Sequence, residues 1–153
     1  LIYLSALQLM SVIIKPAAAA AFDKIDPLTQ KSWQAEFTQP GKIPLALMVN
    51  SLIELTELRP LQAILQETNK LLHWGYYLAF HRQNLYGTTD TLSKYAWQAY
   101  LCLEAKDSEG FSTYLAICFS YILETIRNFI MQNGLQEAAK IITPYKIPDL
   151  KSP

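Results

Sequence analysis

The sequence predicts an all-α protein, a compact bundle of five to seven helices. Apolar residues make up 51% of the 153 residues, which is enough for a sizeable core and argues against disorder. Only 5 glycines are present, and no segment of useful length alternates between apolar and polar residues as a half-buried strand does. At this length we expect one domain over residues 1–153, with an apolar segment at 1–22 and an extended tail at 144–153.

The N-terminal segment is predicted to be a helix over residues 1–14. Its few polar residues recur at helical spacing; they are Ser5, Gln8 and Ser11. Lys15 and Pro16 are expected to break or kink this helix, with a short helical piece at 17–22 after them. The run before Lys15 is shorter than the roughly 20 residues that span a bilayer. We therefore expect a buried helix or an oligomer contact, and no membrane association.

A second helix is predicted over residues 27–37. Asp26 is suited to the N-cap position, and Pro27 is suited to the first helical turn, where its missing N–H is not needed. The apolar side of this helix is expected to consist of Leu28, Trp33 and Phe37. Residues 39–42, with Pro and Gly adjacent, predict a loop.

Two helices are predicted in the middle of the chain. The first opens at Pro44 and ends near residues 59–60. Its broad apolar stripe comprises Leu45, Met48, Val49, Leu52, Ile53 and Leu55. Pro60 can open the second, which is expected to run to about Leu85. Its inward residues are predicted to be Leu61, Ile64, Leu65, Leu71, Leu72 and Leu78. Residues 84–89 are predicted to form a loop.

The next helix is predicted from about residue 92 to residue 105. Asp90, or Thr89, is a suitable N-cap for it. Residues 106–110 are polar and include a glycine, which predicts a turn.

The longest helix is predicted over residues 111–132 and is followed by a junction at Asn133 and Gly134. Gly134 suits the left-handed position that closes a helix, because glycine has no Cβ to clash there. A short helix at 135–142 is expected to follow, ending before Pro144.

Composition and spacing also indicate which chemistry to exclude. Cys102 and Cys118 lie in apolar helical stretches and are expected to be buried free thiols. His73 and His81 are eight residues apart, which separates them by about 12 Å along a helix and prevents shared metal coordination. The glycines are isolated, so no nucleotide-binding motif is present. We expect no metal, no cofactor, no catalytic residues and no enzymatic activity.

A basic stripe is predicted on one helix. It consists of Lys70, His73, Tyr77 and His81, at steps of three, four and four, with Arg82 beside its end. Cations interleaved with aromatic rings are what a nucleic-acid backbone contact requires. The alternative is an amphipathic helix whose polar side simply faces water. Further candidate phosphate contacts are Lys24, Lys31 and Lys94.

Formal net charge is 0, which counts against a nucleic-acid binder that acts alone. The same balance is compatible with a subunit that touches nucleic acid through a local patch while its partners supply most of the positive field. Net charge near zero also lowers self-repulsion, as suits a protein that lives inside an assembly.

Two short motifs resemble the small helical subunit of CRISPR effector complexes. They are Lys94-Tyr95-Ala96-Trp97 and Asn133-Gly134-Leu135, with the helix at 115–129 between them. The resemblance implies a cytoplasmic, non-catalytic subunit of a Cascade-like ribonucleoprotein complex for antiviral defence. Its implied partners are the large subunit, the backbone subunits, further copies of itself, guide RNA and target DNA, with no small-molecule substrate. Such subunits brace the guide–target duplex or the displaced DNA strand.

The first residue points to one subtype within this family. The chain opens with Leu1, and a Leu codon can serve as an internal start. In type I-D systems the small subunit resembles a separate product of the C-terminal part of the large-subunit gene, made from such a start.

A second hypothesis is a helical protein–protein adaptor without nucleic-acid contact, because the chain carries nine tyrosines, a residue common at protein interfaces.

Overall fold

The structure, a computed structural model, describes residues 2–39, 44–76 and 86–142. Only the backbone is described at residues 2–3, 73–76, 86–90, 129–130 and 133–142. The α-helices are α1 (Ile2–Ala21), α2 (Pro27–Phe37), α3 (Pro44–Leu55), α4 (Arg59–Tyr76), α5 (Tyr86–Glu104) and α6 (Ser108–Ile142). A 3-10 turn at Phe22–Lys24 follows α1. These residues contain no strand, so the predicted all-α bundle of five to seven helices is confirmed.

The helices pack around one hydrophobic core. Helix α1 lies against α6 and α4, α5 pairs with α6, and α2 rests on α3 and α5. Trp33 of α2 is fully buried and stacks on Phe111 of α6, with ring centroids 6.2 Å apart and planes 7° apart. Its indole Nε1 donates to Ser51 Oγ on α3 at 3.0 Å. One side chain therefore joins three helices, which places α2 on the bundle.

The predicted start of α2 is confirmed. Asp26 Oδ1 accepts a hydrogen bond from the backbone N–H of Thr29 at 2.7 Å, and Pro27 occupies the first helical position. The backbone and hydroxyl of Thr29 lower the pKa of the Asp26 carboxyl, because both hydrogen bonds favour the ionised form. The expected apolar side is wrong at Leu28, which is 77% exposed.

Of the break or kink predicted at Lys15 and Pro16, the break is wrong, because α1 continues through both residues. A proline inside a helix costs about 3 kcal/mol, since it removes one hydrogen bond and crowds the preceding turn. The ring of Pro16 is exposed, while Ile14 and Ala17 on either side of it are at most 1% exposed. Burying a side chain such as Ile14 contributes roughly 1.5 to 3 kcal/mol. Packing on both sides of the proline therefore offsets its cost.

The continuous helix also removes the length argument against a membrane span. In the described ranges, Leu4–Lys24 is long and apolar enough to cross a bilayer by length and composition alone. A core helix of a soluble protein meets the same test, and the inner face of α1 is fully buried against its neighbours. The expectation of no membrane association stays a prediction.

The predicted helix end at Asn133 and Gly134 is wrong, because α6 is one helix of 35 residues that continues to Ile142. A glycine in a helix interior costs about 1 kcal/mol relative to alanine. Ending the helix would instead require a new and unfavourable nucleus after the junction. Residues 135–140 are mostly strong helix formers, so continuing the helix is the less costly solution.

A helix that ends at a residue in the left-handed conformation does occur in the chain, between α5 and α6. Lys106 has a φ of 58°, its N–H donates to Leu103 O at 3.1 Å, and the N–H of Asp107 donates to Cys102 O at 2.8 Å. This pair of bonds is the Schellman arrangement, with lysine at the position that glycine usually takes. The predicted turn at 106–110 is therefore shorter than expected, because α6 already begins at Ser108.

Asp107 then serves as the N-cap of α6. Its Oδ1 accepts from the backbone N–H of Gly110 at 2.9 Å. A Cβ added at Gly110 would meet the Asp107 carboxylate and would approach Cys102 Sγ to 2.7 Å. Glycine at 110 thus permits a close approach between the cap and the preceding helix.

Several predicted boundaries between residues 55 and 92 differ from the structure. Helix α3 ends at Leu55, before the expected 59–60, and α4 begins at Arg59. Helix α5 already begins at Tyr86, so the part of the predicted loop at 86–89 is helical, and the proposed caps at 89 and 90 lie inside the helix. The predicted continuation through residues 77–85 and the tail at 144–153 lie outside the described residues.

The inward side of α4 is predicted only in part. Leu65 and Leu72 are buried, but Ile64 and Leu71 are 46% and 37% exposed. Thr68 occupies the buried stripe between the two leucines, and its hydroxyl donates to Ile64 O at 2.7 Å. A hydroxyl satisfied by the preceding turn can be buried, so apolar residue type alone does not locate the inner face.

The two cysteines are free, as expected, but differ in burial. Cys118 is fully buried, and burial raises the pKa of its thiol to about 12. Cys102 is only partly buried, so the expectation of a buried thiol is wrong in degree there. Desolvation, followed by the charge of Asp107, raises the pKa of the Cys102 thiol.

Candidate nucleic-acid interface

The basic stripe lies only partly within the described residues. Lys70 and His73 belong to α4, and the side chain of His73 is not described. Tyr77, His81 and Arg82 lie outside the described residues altogether. The alignment of these side chains along one helix face remains a prediction.

Lys70 lies among acidic groups. Its Nζ is 3.2 Å from Glu67 Oε1, one turn earlier on α4. It also lines a polar groove of about 450 Å³ between α3 and α4, which it shares with Glu54. Asn69 Nδ2 closes part of this groove by donating to Asn50 Oδ1 at 2.8 Å. The ion pair with Glu67 and the presence of Glu54 in the lining make this groove a poor place for a phosphate.

Lys24 is paired as well. Its Nζ is 3.1 Å from Glu57 Oε2, beside a small apolar cup between the end of α1 and the α3–α4 connection. Exposed ion pairs of this kind contribute only about 0–1 kcal/mol, so Lys24 is not immobilised. The pairing nevertheless neutralises its field, and the same applies to Lys15, which lies 3.1 Å from Glu109 Oε1.

Lys31 and Lys94 differ from these lysines. Both are exposed, and the described residues offer neither an acidic partner within 4.0 Å. Lys31 is on α2 and Lys94 on α5, two helices that pack against each other. Among the predicted contacts whose side chains are described, the two charges without an acidic partner therefore belong to neighbouring helices.

A groove lies between these two helices. We call it the α2–α5 groove; it has a volume of about 400 Å³ and is lined by Gln34, Phe37, Thr38, Ser93, Lys94, Trp97 and Gln98. Among the described residues of this lining, Lys94 is the only charged one. Lys31 precedes Gln34 by three residues and Thr38 by seven, so it lies on the same stripe of α2. The groove thus combines positive charge with neutral donors and acceptors.

Aromatic rings form the floor of the α2–α5 groove. Trp97 stacks on Tyr100, with centroids 5.1 Å apart and planes 19° apart. Phe37 meets the Trp97 ring edge-on at 5.0 Å and a 69° angle, and it lies 5.9 Å from Tyr100. Aromatic pairs in these geometries contribute about 0.5–1.5 kcal/mol beyond their buried area. The floor is therefore held in place by its own packing.

Tyr100 anchors this floor from below. The residue is 2% exposed, and its hydroxyl is hydrogen-bonded to the side chains of Gln30 and Glu104. Burial, followed by the charge of Glu104, raises the pKa of the Tyr100 phenol. The phenol is thus a neutral structural support and takes no part in acid–base chemistry near neutral pH.

Sequence reasoning missed most of this groove. Lys31 and Lys94 were candidates only as scattered cations, and Trp97 was noted only within the Lys94–Trp97 motif. The local signals were present, since Lys94 and Trp97 are three residues apart on one helix face. The meeting of α2 with α5, about sixty residues later, could not be inferred from local spacing.

Other kinds of site find less support in the described part of the chain. There, no group of three or more His, Cys, Asp and Glu side chains is placed to hold a metal ion. Comparison of the chain with protein-family models, curated proteins and solved structures finds no match.

Proposed function

We propose that this protein is a non-catalytic, cytoplasmic small subunit of a CRISPR ribonucleoprotein effector complex. In this role it braces the guide–target duplex or the displaced DNA strand through contacts to the nucleic-acid backbone. The observation that carries the proposal is the α2–α5 groove, where Lys94 lies beside an aromatic floor. Neither Lys94 nor Lys31, which lies on the same stripe of α2 as Gln34, has an acidic partner among the described residues. Of the two motifs that carry the resemblance, the first contributes Lys94 and Trp97 to the lining of this groove, whereas the second, Asn133-Gly134-Leu135, lies inside α6 and forms no helix junction.

The physical basis is counterion release. Each ammonium that replaces a condensed cation on a phosphate contributes affinity that falls as salt rises. Because net charge is 0, the isolated chain has little long-range attraction for a polyanion. We expect weak binding by the chain alone and stronger binding inside a complex whose other subunits add positive charge and further contacts.

The test is the salt dependence of nucleic-acid binding. Changing Lys31 and Lys94 to Gln together should reduce the magnitude of the log–log salt slope by roughly 0.7 to 0.9 for each lost phosphate contact. The matched control changes Arg59 and Arg127 to Gln, which removes the same charge from exposed residues that do not line the groove and have no ion pair among the described residues. Binding can be measured by fluorescence anisotropy with labelled DNA and RNA, for the chain alone and for the reconstituted complex.

Three outcomes would overturn this proposal. An equal loss of slope in the control variant would mean that general charge, and no local contact, is being measured. An unchanged slope in the groove variant, together with a reduced slope after Lys70→Ala and Arg82→Ala, would move the contact to the basic stripe. The absence of salt-dependent binding in both chain and complex would reject nucleic-acid contact.

A helical protein–protein adaptor is the second candidate. The observation in its favour is a set of exposed large apolar side chains on the described helices, namely Leu9, Val12, Leu28, Ile64, Leu71, Leu101 and Met131. Replacing Val12 and Ile64 by Ser should then abolish assembly with the partner subunits, while the Lys31 and Lys94 variant assembles normally. Normal assembly by both variants would count against an adaptor that uses these residues.

A further inference from the structure

We propose that the α2–α5 groove receives an unstacked base of a single nucleic-acid strand on Trp97, with neighbouring phosphates at Lys94 and Lys31. The inference rests on the proposed function and adds a specific ligand chemistry to it. The groove selects single strands over duplexes, because a duplex hides the faces of its bases.

The size and form of the groove are the first argument. A volume of about 400 Å³ is within the range of pockets that hold small organic ligands. It is a concave cleft between two helices, whereas a duplex presents a convex surface of phosphates with its base faces covered by stacking. Only a base turned out of a stack can bring its ring to the floor of this cleft.

The aromatic stack is the second argument. A ring has two faces, and Tyr100 covers one face of Trp97. The edge of Phe37 supports the same indole, so an incoming base meets a ring that is already oriented. Because Tyr100 is held at its hydroxyl by Gln30 and Glu104, little side-chain freedom is lost when a ligand binds. A base on the remaining face of Trp97 would be the third ring of a preformed stack.

The rim of the groove is the third argument. Gln34 and Gln98 are exposed amides and Ser93 is a hydroxyl, so each of these can donate or accept a hydrogen bond. The Thr38 hydroxyl donates its proton to Ala35 O at 2.7 Å, so towards a ligand it can only accept. Such a rim tolerates all four bases, and the stack itself is equally indifferent to base identity. Lys94 at the rim favours an anionic ligand, and no carboxylate is among the described lining residues. We therefore expect sequence-independent capture of a single strand.

The experiment measures the affinity of the 153-residue chain for three nucleic-acid probes of equal length. The probes are a single strand, an abasic strand with the same phosphates, and a hairpin duplex. Stacking of one base on an aromatic side chain should give the single strand roughly 5- to 150-fold tighter binding than the abasic strand. Trp97→Leu should remove this preference and leave the affinity for the abasic strand unchanged. Trp97→Phe should restore part of the preference, because it restores a ring.

Because Trp97 packs on Phe37 and Tyr100, its replacement can disturb the fold. A second variant therefore tests the groove without changing this packing. Gln98→Glu changes only an exposed rim residue and places a carboxylate beside Lys94. It should weaken binding of both single strands by repelling phosphate, with an unchanged thermal unfolding midpoint. A rim variant that binds as tightly as the wild type would contradict the placement of the strand in this groove.

The outcomes separate this inference from the proposed function. Equal binding of the single and abasic strands by the wild type, with a normal salt slope, would overturn base stacking and keep the backbone contact. No salt-dependent binding of any probe, by either the chain or the reconstituted complex, would reject both. Self-association of the chain that Trp97→Leu abolishes would mean that a second copy occupies the groove, and it would overturn the assignment to nucleic acid.

Discussion

At the scale of single residues, Asp26, Lys106 and Asp107 determine where helices begin and end. Asp26 and Asp107 each accept a backbone N–H three residues later, at 2.7 and 2.9 Å. Lys106 takes the left-handed conformation that lets α5 stop and α6 start after a very short turn. These residues act through their own backbone neighbourhood, so their effects can be tested by single substitutions.

We predict that Asp26 makes stability dependent on pH in the acidic range. Its pKa is lower in the folded than in the unfolded state, so its contribution is full above the unfolded pKa and is lost as the pH falls through the folded pKa. Asp26→Ala should be less stable than the wild type near neutral pH, and the difference should shrink on acidification. Asp26→Asn keeps a capping oxygen without a charge and is the matched control. Urea unfolding followed by circular dichroism measures this, and a difference that grows towards acidic pH would contradict the cap.

Lys106→Gly should stabilise the protein. A non-glycine residue in the left-handed region costs about 1–2 kcal/mol, and the extra freedom of glycine in the unfolded chain returns about 0.4–1 kcal/mol of that. We expect a net gain of about 0.5–1 kcal/mol in the free energy of unfolding. Lys106→Ala keeps the Cβ and removes the charge, and it should leave stability nearly unchanged. A gain of the same size in the alanine variant would assign the effect to charge.

At the scale of whole helices, α1 and α6 are longer than their local signals indicate. Pro16 and Gly134 are the residues that disfavour helix most, yet both lie inside helices. At 1.5 Å per residue, α6 is about 50 Å long, against about 30 Å for α1 and α5. Helix α6 is thus the element on which both α1 and α5 pack, and it extends beyond them.

The sign of a single substitution tests the continuity of α6. Gly134→Ala should raise the free energy of unfolding by about 1 kcal/mol if residue 134 is inside a helix. The same change should destabilise the protein if residue 134 closes a helix in the left-handed conformation, as the sequence alone predicted. Chemical denaturation of the two proteins distinguishes these cases, with helix content by circular dichroism as the control for folding.

At the scale of the whole molecule, the core encloses Cys118 and leaves Cys102 partly accessible. Because Cys118 faces the core from the central helix α6, it becomes accessible only when that core opens. Cys102 lies at the end of α5, beside the turn to α6, where smaller openings suffice. The two thiols therefore report different motions of one bundle.

We predict two-phase labelling by a thiol reagent without denaturant. Cys102 should react first, and Cys118 should react roughly 10³-fold or more slowly than in the unfolded chain, because it requires global unfolding. Burial raises the pKa of Cys118 to about 12 in the folded state, above the pKa that this thiol has in the unfolded chain. Burial of the neutral thiol therefore stabilises the folded protein fully below the unfolded pKa, and this contribution is lost as the pH rises towards 12. Cys102→Ala isolates the slow phase. Equal rates for both thiols would show that Cys118 is not enclosed.

Local patterns in the sequence determined the fold class, the start of α2 and the apolar stripe of α3. A cap, a proline at a first turn and a helical period act over a few neighbouring residues, so they can be recognised without a structure. Five of the six residues predicted for the α3 stripe are buried, and the sixth, Leu55, packs partly buried against the core. The all-α class followed from the same short-range physics.

Only the tertiary structure decided the rest. Pro16 stays within α1 because packing in the bundle offsets a local cost of about 3 kcal/mol. Whether a lysine is ion-paired depends on residues far along the chain, because Lys15 pairs with Glu109 and Lys24 pairs with Glu57. The α2–α5 groove forms because the cap of α2 and the packing of Trp33 bring Phe37 against Trp97. Charge pairing and cavity formation depend on distances between residues in space, and these distances cannot be read from the separation of the residues in the sequence.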